Sequence, residues 1–190
     1  MTICYNNSVL QLRNKKGKRV LGIDHSTTTL AFCLSVDGVP EYWEEIPLLG
    51  SNVYARIGDL VNKLAARFDS EDINTLVIEK TVQVNSRDTV VKLAMIAGAI
   101  IGYFEARGVK AYEVPALTWQ AATAKPTLTK AEQAALKLAN PGRAKSWYSN
   151  EARKIRKQRI IDWVETQFGM KVASDCADSI CIAYYGSNKL

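Results

Sequence analysis

Val20-Leu21-Gly22-Ile23-Asp24 is a continuous apolar run that ends in an acid. Runs that are apolar at every position, rather than at alternate ones, mark strands covered on both faces, as in the parallel part of an α/β sheet. The form recurs at Thr75-Leu76-Val77-Ile78-Glu79. If the two strands are parallel neighbours, their carboxyl ends lie together at one edge of the sheet, where open α/β sheets bind ligands. Asp24 and Glu79 would then face each other across one crevice. Either acid alone would mark no more than the end of a strand.

Outward from the first run, residues 30–36 and 41–46 read as two further strands joined through Asp37-Gly38, a link short enough to make the pair antiparallel. Residues 53–68 have helical spacing (Ile57, Leu60, Val61, Leu64), with Asn52 placed as the cap. Beyond Glu79, residues 88–107 read as a long helix closed by Gly108, and residues 109–114 as a fifth strand ended by Pro115. Helices are expected near 151–168 and 175–185, after a basic segment interrupted by Asn140-Pro141-Gly142. The expected class is therefore α/β: a mixed five-stranded sheet, three antiparallel strands followed by two parallel ones, flanked by helices.

Near the carboxyl end, Asp175 and Asp178 stand three residues apart, on one face of a helix. Ala177, Ile180, Cys181 and Tyr184 form the adjacent apolar stripe. Acids at a helix start also serve as ordinary dipole partners, but two carboxylates beside a packing stripe repel each other unless a cation sits between them. Asp24, Glu79, Asp175 and Asp178, with no histidine partner required, suit hard, oxygen-seeking ions, Mg²⁺ or Mn²⁺. Two such ions roughly 3.5–4 Å apart activate water and stabilise a leaving oxygen in phosphodiester cleavage.

Charge placement agrees. Hydrophobic residues make up 47% of the 190-residue chain and charged residues 23%, a globular balance. The net charge is +6. Residues 125–159 hold ten basic residues against Glu132 and Glu151, a net +8, and the remainder carries 15 basic and 17 acidic residues, a net −2. All the excess positive charge thus sits in one segment, which favours a polyanion and nucleic acid first; the plainer alternative is a solvated helix face. The candidate DNA contacts are Lys145, Arg153, Lys154, Arg156, Lys157 and Arg159. Within the same segment, Trp147-Tyr148 would either stack on exposed bases or anchor the segment to the core.

We expect one domain over residues 1–190, with 1–18 a basic tail and 125–157 a basic helical insertion. Cys4, Cys33, Cys176 and Cys181 show no CxxC spacing, and with a single histidine they argue against structural zinc and for reduced thiols. No signal peptide is expected, and the longest apolar stretch, 93–104, is too short to span a bilayer. The expected location is the cytoplasm of a bacterial or phage-infected cell, with an organellar matrix as the alternative. Residues 93–104 are apolar nearly all round, with Gly98 and Gly102 the small residues. One face can pack on the sheet; the other calls for a two-fold partner or for the carboxyl-terminal helices of the same chain.

Taken together, Gly22-Ile23-Asp24 followed by small polar residues, Val77-Ile78-Glu79, and Asp175-Cys176-Ala177-Asp178-Ser179-Ile180-Cys181-Ile182-Ala183 resemble the three acidic motifs of RuvC-type Holliday-junction resolvases. The long helix and the strand Tyr112-Glu113-Val114-Pro115 sit where that family places them, and the likeness spans about residues 19–187. The resemblance implies an RNase H-like fold, a homodimer, Mg²⁺ dependence with Mn²⁺ substituting, and paired nicks across a four-way DNA junction. It makes Asp24, Glu79, Asp175 and Asp178 the ligands of two metal ions and catalytic residues. Lys157 becomes the catalytic lysine, a place Arg156 or Lys154 would fill equally well. It implies neither a membrane nor a small-molecule cofactor.

The departures are local. The first loop reads His25-Ser26-Thr27-Thr28-Thr29, and His25 is either a phosphate or metal-water contact or a polar loop residue. Val82 stands where bacterial members often carry an aromatic residue, and Trp119-Gln120 near where a second basic residue is common. Phage and organellar members vary at such places, which allows a phage source. Three other readings share part of the pattern. An RNase H-like nuclease acting on structured RNA or on flaps would use the same acids. An actin-like ATPase shares the Gly-Ile-Asp strand end but has no need of Asp175 with Asp178. A binding module with a dead site would not retain all four carboxylates.

Overall fold

The structure is a computed structural model that describes residues 16–81 and 86–190. Cys4, Val82 and all of the expected basic tail except residues 16–18 lie outside the described residues. Strands β1 (Arg19–His25), β2 (Thr29–Val36) and β3 (Val39–Pro47) form an antiparallel meander. Strands β4 (Thr75–Glu79) and β5 (Lys110–Val114) add to it in parallel, giving the order β3-β2-β1-β4-β5. This is the expected mixed sheet, and β1 and β4, the two apolar runs, are its parallel centre.

Strand alternation then sorts the side chains. Leu21 and Ile23 of β1, with Leu76 and Ile78 of β4, point to one face. There helices α1 (Val53–Phe68) and α2 (Arg87–Glu105) cover them with Leu60, Leu64, Phe68, Ile96, Ile100 and Phe104. Asn52 caps α1 as expected, its side chain accepting from the amide of Ala55 at 3.0 Å. Val20 and Val77 point to the opposite face, beneath α6 (Ser174–Lys189), α5 (Lys145–Phe168) and the short α3 (Ala116–Ala122). Asp24 and Glu79 alternate in phase with Val20 and Val77, so they emerge on the α6 side.

Gly22 fixes how closely α6 lies. A Cβ at this position would fall 2.3 Å from the amide nitrogen of Ala183 and 2.5 Å from the carbonyl oxygen of Ser179, both backbone atoms. Only glycine admits the helix so near the strand. At the other end of the crossing, Gly186 sits against Val77 and Val20. Moving toward the amino end of α6 is therefore moving toward the carboxyl end of β1, which carries Asp175 and Asp178 to Asp24.

The helices beyond β5 differ from expectation in extent. Helix α5 begins at Lys145 rather than near Glu151 and runs 24 residues to the left-handed Gly169. No proline or glycine interrupts it, but it buries only Ile160 and Val164, so its first turns lack the apolar period by which a helix is recognised. Helix α4 (Lys130–Ala139) buries no residue, and is held by a capping box at Thr129 and Glu132 and by an ion pair from Arg159 to Glu132. Helix α3, seven residues after Pro115, is too short for periodicity to mark it.

Helix α2 sends Ile96, Ala97, Ile100, Tyr103 and Phe104 inward and leaves Ala94, Gly98 and Gly102 exposed. The carboxyl-terminal helices pack on the other side of the sheet and do not cover this face. Among the described residues no helix is long and apolar enough to cross a membrane.

Candidate active site

The carboxyl ends of β1 and β4 and the first turns of α6 open into one cavity of about 600 Å³. Ile23 pairs with Ile78 across the parallel ladder, which sets the next residues, Asp24 and Glu79, side by side. Helix α6 adds Asp175 and Asp178, and all four acids line the cavity. Carboxylate oxygens of Asp24, Asp175 and Asp178 lie within 4.8 Å of one another. Such a spacing of hard oxygen donors fits a divalent cation. Glu79 stands beside this trio as a fourth donor.

Glu79 is held by a residue that sequence reasoning did not place in the site. The Trp119 indole N–H donates to Glu79 Oε2 at 2.9 Å, and Trp119 is almost wholly buried. The bond leaves the other carboxylate oxygen of Glu79 free to ligate. A lone tryptophan in a seven-residue helix has no periodic context, and its place in the chain pointed only to a missing basic residue.

Electrostatics set these acids apart from surface carboxylates. Burial pushes Asp24 well above the usual carboxylate range, and the charges of Asp178, Glu79 and Asp175 push the same way. Asp178 is raised to about 7, first by burial, with Glu79 and Asp175 adding and Lys157 and Arg153 opposing. Burial also raises Glu79, against the pull of the Trp119 N–H. Crowded, desolvated carboxylates of this kind hold protons when no cation is present.

Cations share the cavity with these acids. Lys157 Nζ donates to Asp175 Oδ1 at 3.0 Å, and Arg153 and Arg156 line the same cavity. The other basic residues are placed differently. Lys145 is exposed in the first turn of α5, and Lys154 pairs with Glu151 at 3.1 Å outside the cavity. Arg159 turns away, to Glu132 and the carbonyl of Pro126. His25 lines the cavity, and burial lowers its pKa. The loop after it is held by Ser26, whose Oγ accepts the amides of Thr28 and Thr29 at 3.1 and 2.8 Å. The Trp147-Tyr148 pair divides: the Tyr148 hydroxyl donates to the carbonyl of Asn140 and anchors the turn, while Trp147 lines a groove.

No protein-family model and no curated protein matches the chain. Solved structures do. RuvC of Thermus thermophilus in complex with a Holliday junction substrate is 16% identical with a TM-score of 0.64, the match covering 88% of this chain and 94% of that one. A further Thermus thermophilus RuvC structure is 17% identical with a TM-score of 0.61, over 88% and 95% of the two chains. The yeast mitochondrial Holliday junction resolvase Ydc2 is 12% identical with a TM-score of 0.50, over 93% and 82%. The five-stranded mixed sheet with its flanking helices is thus the RNase H-like fold of these proteins.

Proposed function

We propose that this chain is a metal-dependent endonuclease that cuts branched DNA, the four-way junction above all, by phosphodiester hydrolysis. The observation that carries the reading is a single cavity lined both by four carboxylates and by Arg153, Arg156 and Lys157. Carboxylates for metal and cations for phosphate are complementary halves of one nuclease site, and the shared fold with junction resolvases supports the substrate.

In this reading Asp24, Glu79, Asp175 and Asp178 would together hold two Mg²⁺ ions. Mn²⁺ would substitute at either position. Bound at these residues, such ions would supply activation of the attacking water and charge stabilisation at the phosphoryl oxygens. The chain's own part is positioning. Arg153 and Arg156 would orient the phosphate within the cavity. Lys157, tied to Asp175, sets a positive charge where the phosphate oxygens would lie. Trp119 fixes the Glu79 carboxylate, and the buried setting of the acids strengthens every charge interaction inside.

The direct test is incubation with a mobile four-way junction, a flap, a structured RNA and a linear duplex, with and without Mg²⁺. Mg²⁺-dependent, paired nicking of the junction is expected. Cleavage of only flap or RNA would move the substrate, and metal-independent or absent cleavage would reject the reading. Junction affinity should also fall with salt, by a log–log slope of about −0.9 for each phosphate neutralised. Replacing Arg153, Lys154 and Arg156 by alanine should flatten that slope, and an unchanged slope would remove the basic segment from the interface.

A homodimer follows from the same reading. Two strands must be cut, and the outward face of α2, small at Ala94, Gly98 and Gly102, is open to a second copy. Sedimentation at concentrations where junctions are cut should give a dimer; a monomer would count against paired cleavage by one assembly.

A further inference from the structure

Beside the carboxylate cavity, α5 carries a second, separate groove of about 470 Å³, lined by Trp147, Asn150, Glu151, Arg153, Lys154 and Lys157. Arg153 and Lys157 line both, so the groove and the first cavity are neighbours. We infer that this groove is a subsite for an unstacked nucleobase of the strand being cut, with Trp147 as its stacking platform and Asn150 at the base edge. The inference rests on the nuclease reading above and deepens it, by naming what distinguishes a branched substrate from a duplex.

Trp147 is partly buried but belongs to neither core cluster. It lies in the part of α5 that stands away from the core, where no residue before Ile160 is fully buried. Yet its ring is held. It meets Tyr148 edge to face at 5.3 Å between centroids, and Tyr148 is itself fixed to the Asn140 carbonyl. The Arg143 guanidinium lies 5.4 Å from the centroid of the Trp147 ring. A half-buried indole with its orientation set beforehand loses little entropy when a ligand stacks on it.

The neighbours select the occupant. Trp147, Asn150, Lys154 and Lys157 recur at helical spacing along one face of α5. From Trp147 to Lys157 is about 15 Å of helix, or some four base steps at about 3.4 Å per strand. The one acid, Glu151, is paired with Lys154, so the face is cationic on balance. The Asn150 amide offers both a donor and an acceptor, as a base edge requires. An aromatic platform among cations that leads to a phosphodiester site is the arrangement that holds single-stranded nucleic acid. A linear duplex holds its bases paired in a continuous stack, whereas at a branch point the stack is interrupted and a base is turned out at lower cost.

The test uses the full chain and two variants, Trp147→Ala and Trp147→Phe. The probes are a four-way junction and a linear duplex of matched sequence, bound without Mg²⁺. Trp147→Ala should weaken junction binding by about 5- to 150-fold, the worth of one stacked base, and leave duplex binding unchanged. Trp147→Phe should keep most of the junction affinity. Junction binding should quench indole fluorescence in the wild type, and that component should be missing from Trp147→Phe, a readout that holds even if the alanine variant folds poorly. Equal loss on junction and duplex, or no loss and an identical quench in Trp147→Phe, would overturn the subsite. Failure of the nuclease reading would show earlier, as a wild-type chain that neither binds nor nicks the junction, and would take this inference with it.

Discussion

Asp178→Asn should end Mg²⁺-dependent nicking while leaving the protein folded and no less stable to heat. The amide keeps the size of the side chain and removes its charge. Asp178 lies with Asp24 and Asp175 where an ion would be shared, so one neutral ligand weakens the whole site. Metal ions supply most of the charge stabilisation in such a reaction, and the loss of a single electrostatic group in an active site already costs about 10²–10³-fold. Asp24→Asn, Glu79→Gln and Asp175→Asn should behave alike, since the four act as a unit. Stability should move the other way, because relief of repulsion among buried carboxylates favours the folded state. Asp175→Asn is the informative exception: it also breaks the contact with Lys157 and should gain least. If these acids only capped a helix or paired with lysines, the amides would lower the melting temperature and leave turnover intact. Nicking rate and melting temperature for the four variants separate the two accounts, and full nicking by Asp178→Asn or Glu79→Gln would sink the mechanism.

What the sequence discloses follows from where the residues point. The parallel centre of the sheet was legible because β1 and β4 are covered on both faces and therefore apolar at every position. The acids were legible because each interrupts such a run at its end, or breaks an apolar helix face at a spacing of three. The length of α5 was not legible, because its first half touches no core and leaves no periodic trace. Trp119 escaped for a related reason: its partner, Glu79, lies 40 residues away in sequence, and a side-chain hydrogen bond between distant elements has no local signature. The basic residues were visible as a group but not individually. Arg153, Arg156 and Lys157 reach the cavity and Arg159 does not, and that division depends on the rotation of α5 about its axis, which the core contacts of Ile160, Trp163 and Val164 set.

Without metal, the protein should be more stable near pH 5 than near pH 8, against the usual trend for a chain with ion-paired carboxylates. Asp178 titrates near 7 in the folded state, and its ordinary value is 3.8. Between those values the folded chain binds a proton that the unfolded chain has released, so stability falls as pH rises. For Asp178 alone the change from pH 5 to pH 8 is about 3 kcal/mol, or roughly 5–10 °C in melting temperature for a chain of this size. Asp24, raised by burial and by the same neighbours, pushes in the same direction. Below about pH 4 the sense reverses, because Glu44 and Glu132 are held below the ordinary range by Arg67 and Arg159 and lose those partners on protonation. Mg²⁺ should abolish the decline above pH 5, since it binds the ionised acids and displaces their protons. The stabilisation by Mg²⁺ should therefore be small at pH 5 and grow toward pH 8. Melting curves in chelator across pH 5 to 8, repeated with Mg²⁺ and with Asp178→Asn, measure all three terms. A wild-type melting temperature that climbs over this range in chelator, or a slope that Asp178→Asn leaves unchanged, would mean that the four acids do not share one buried site.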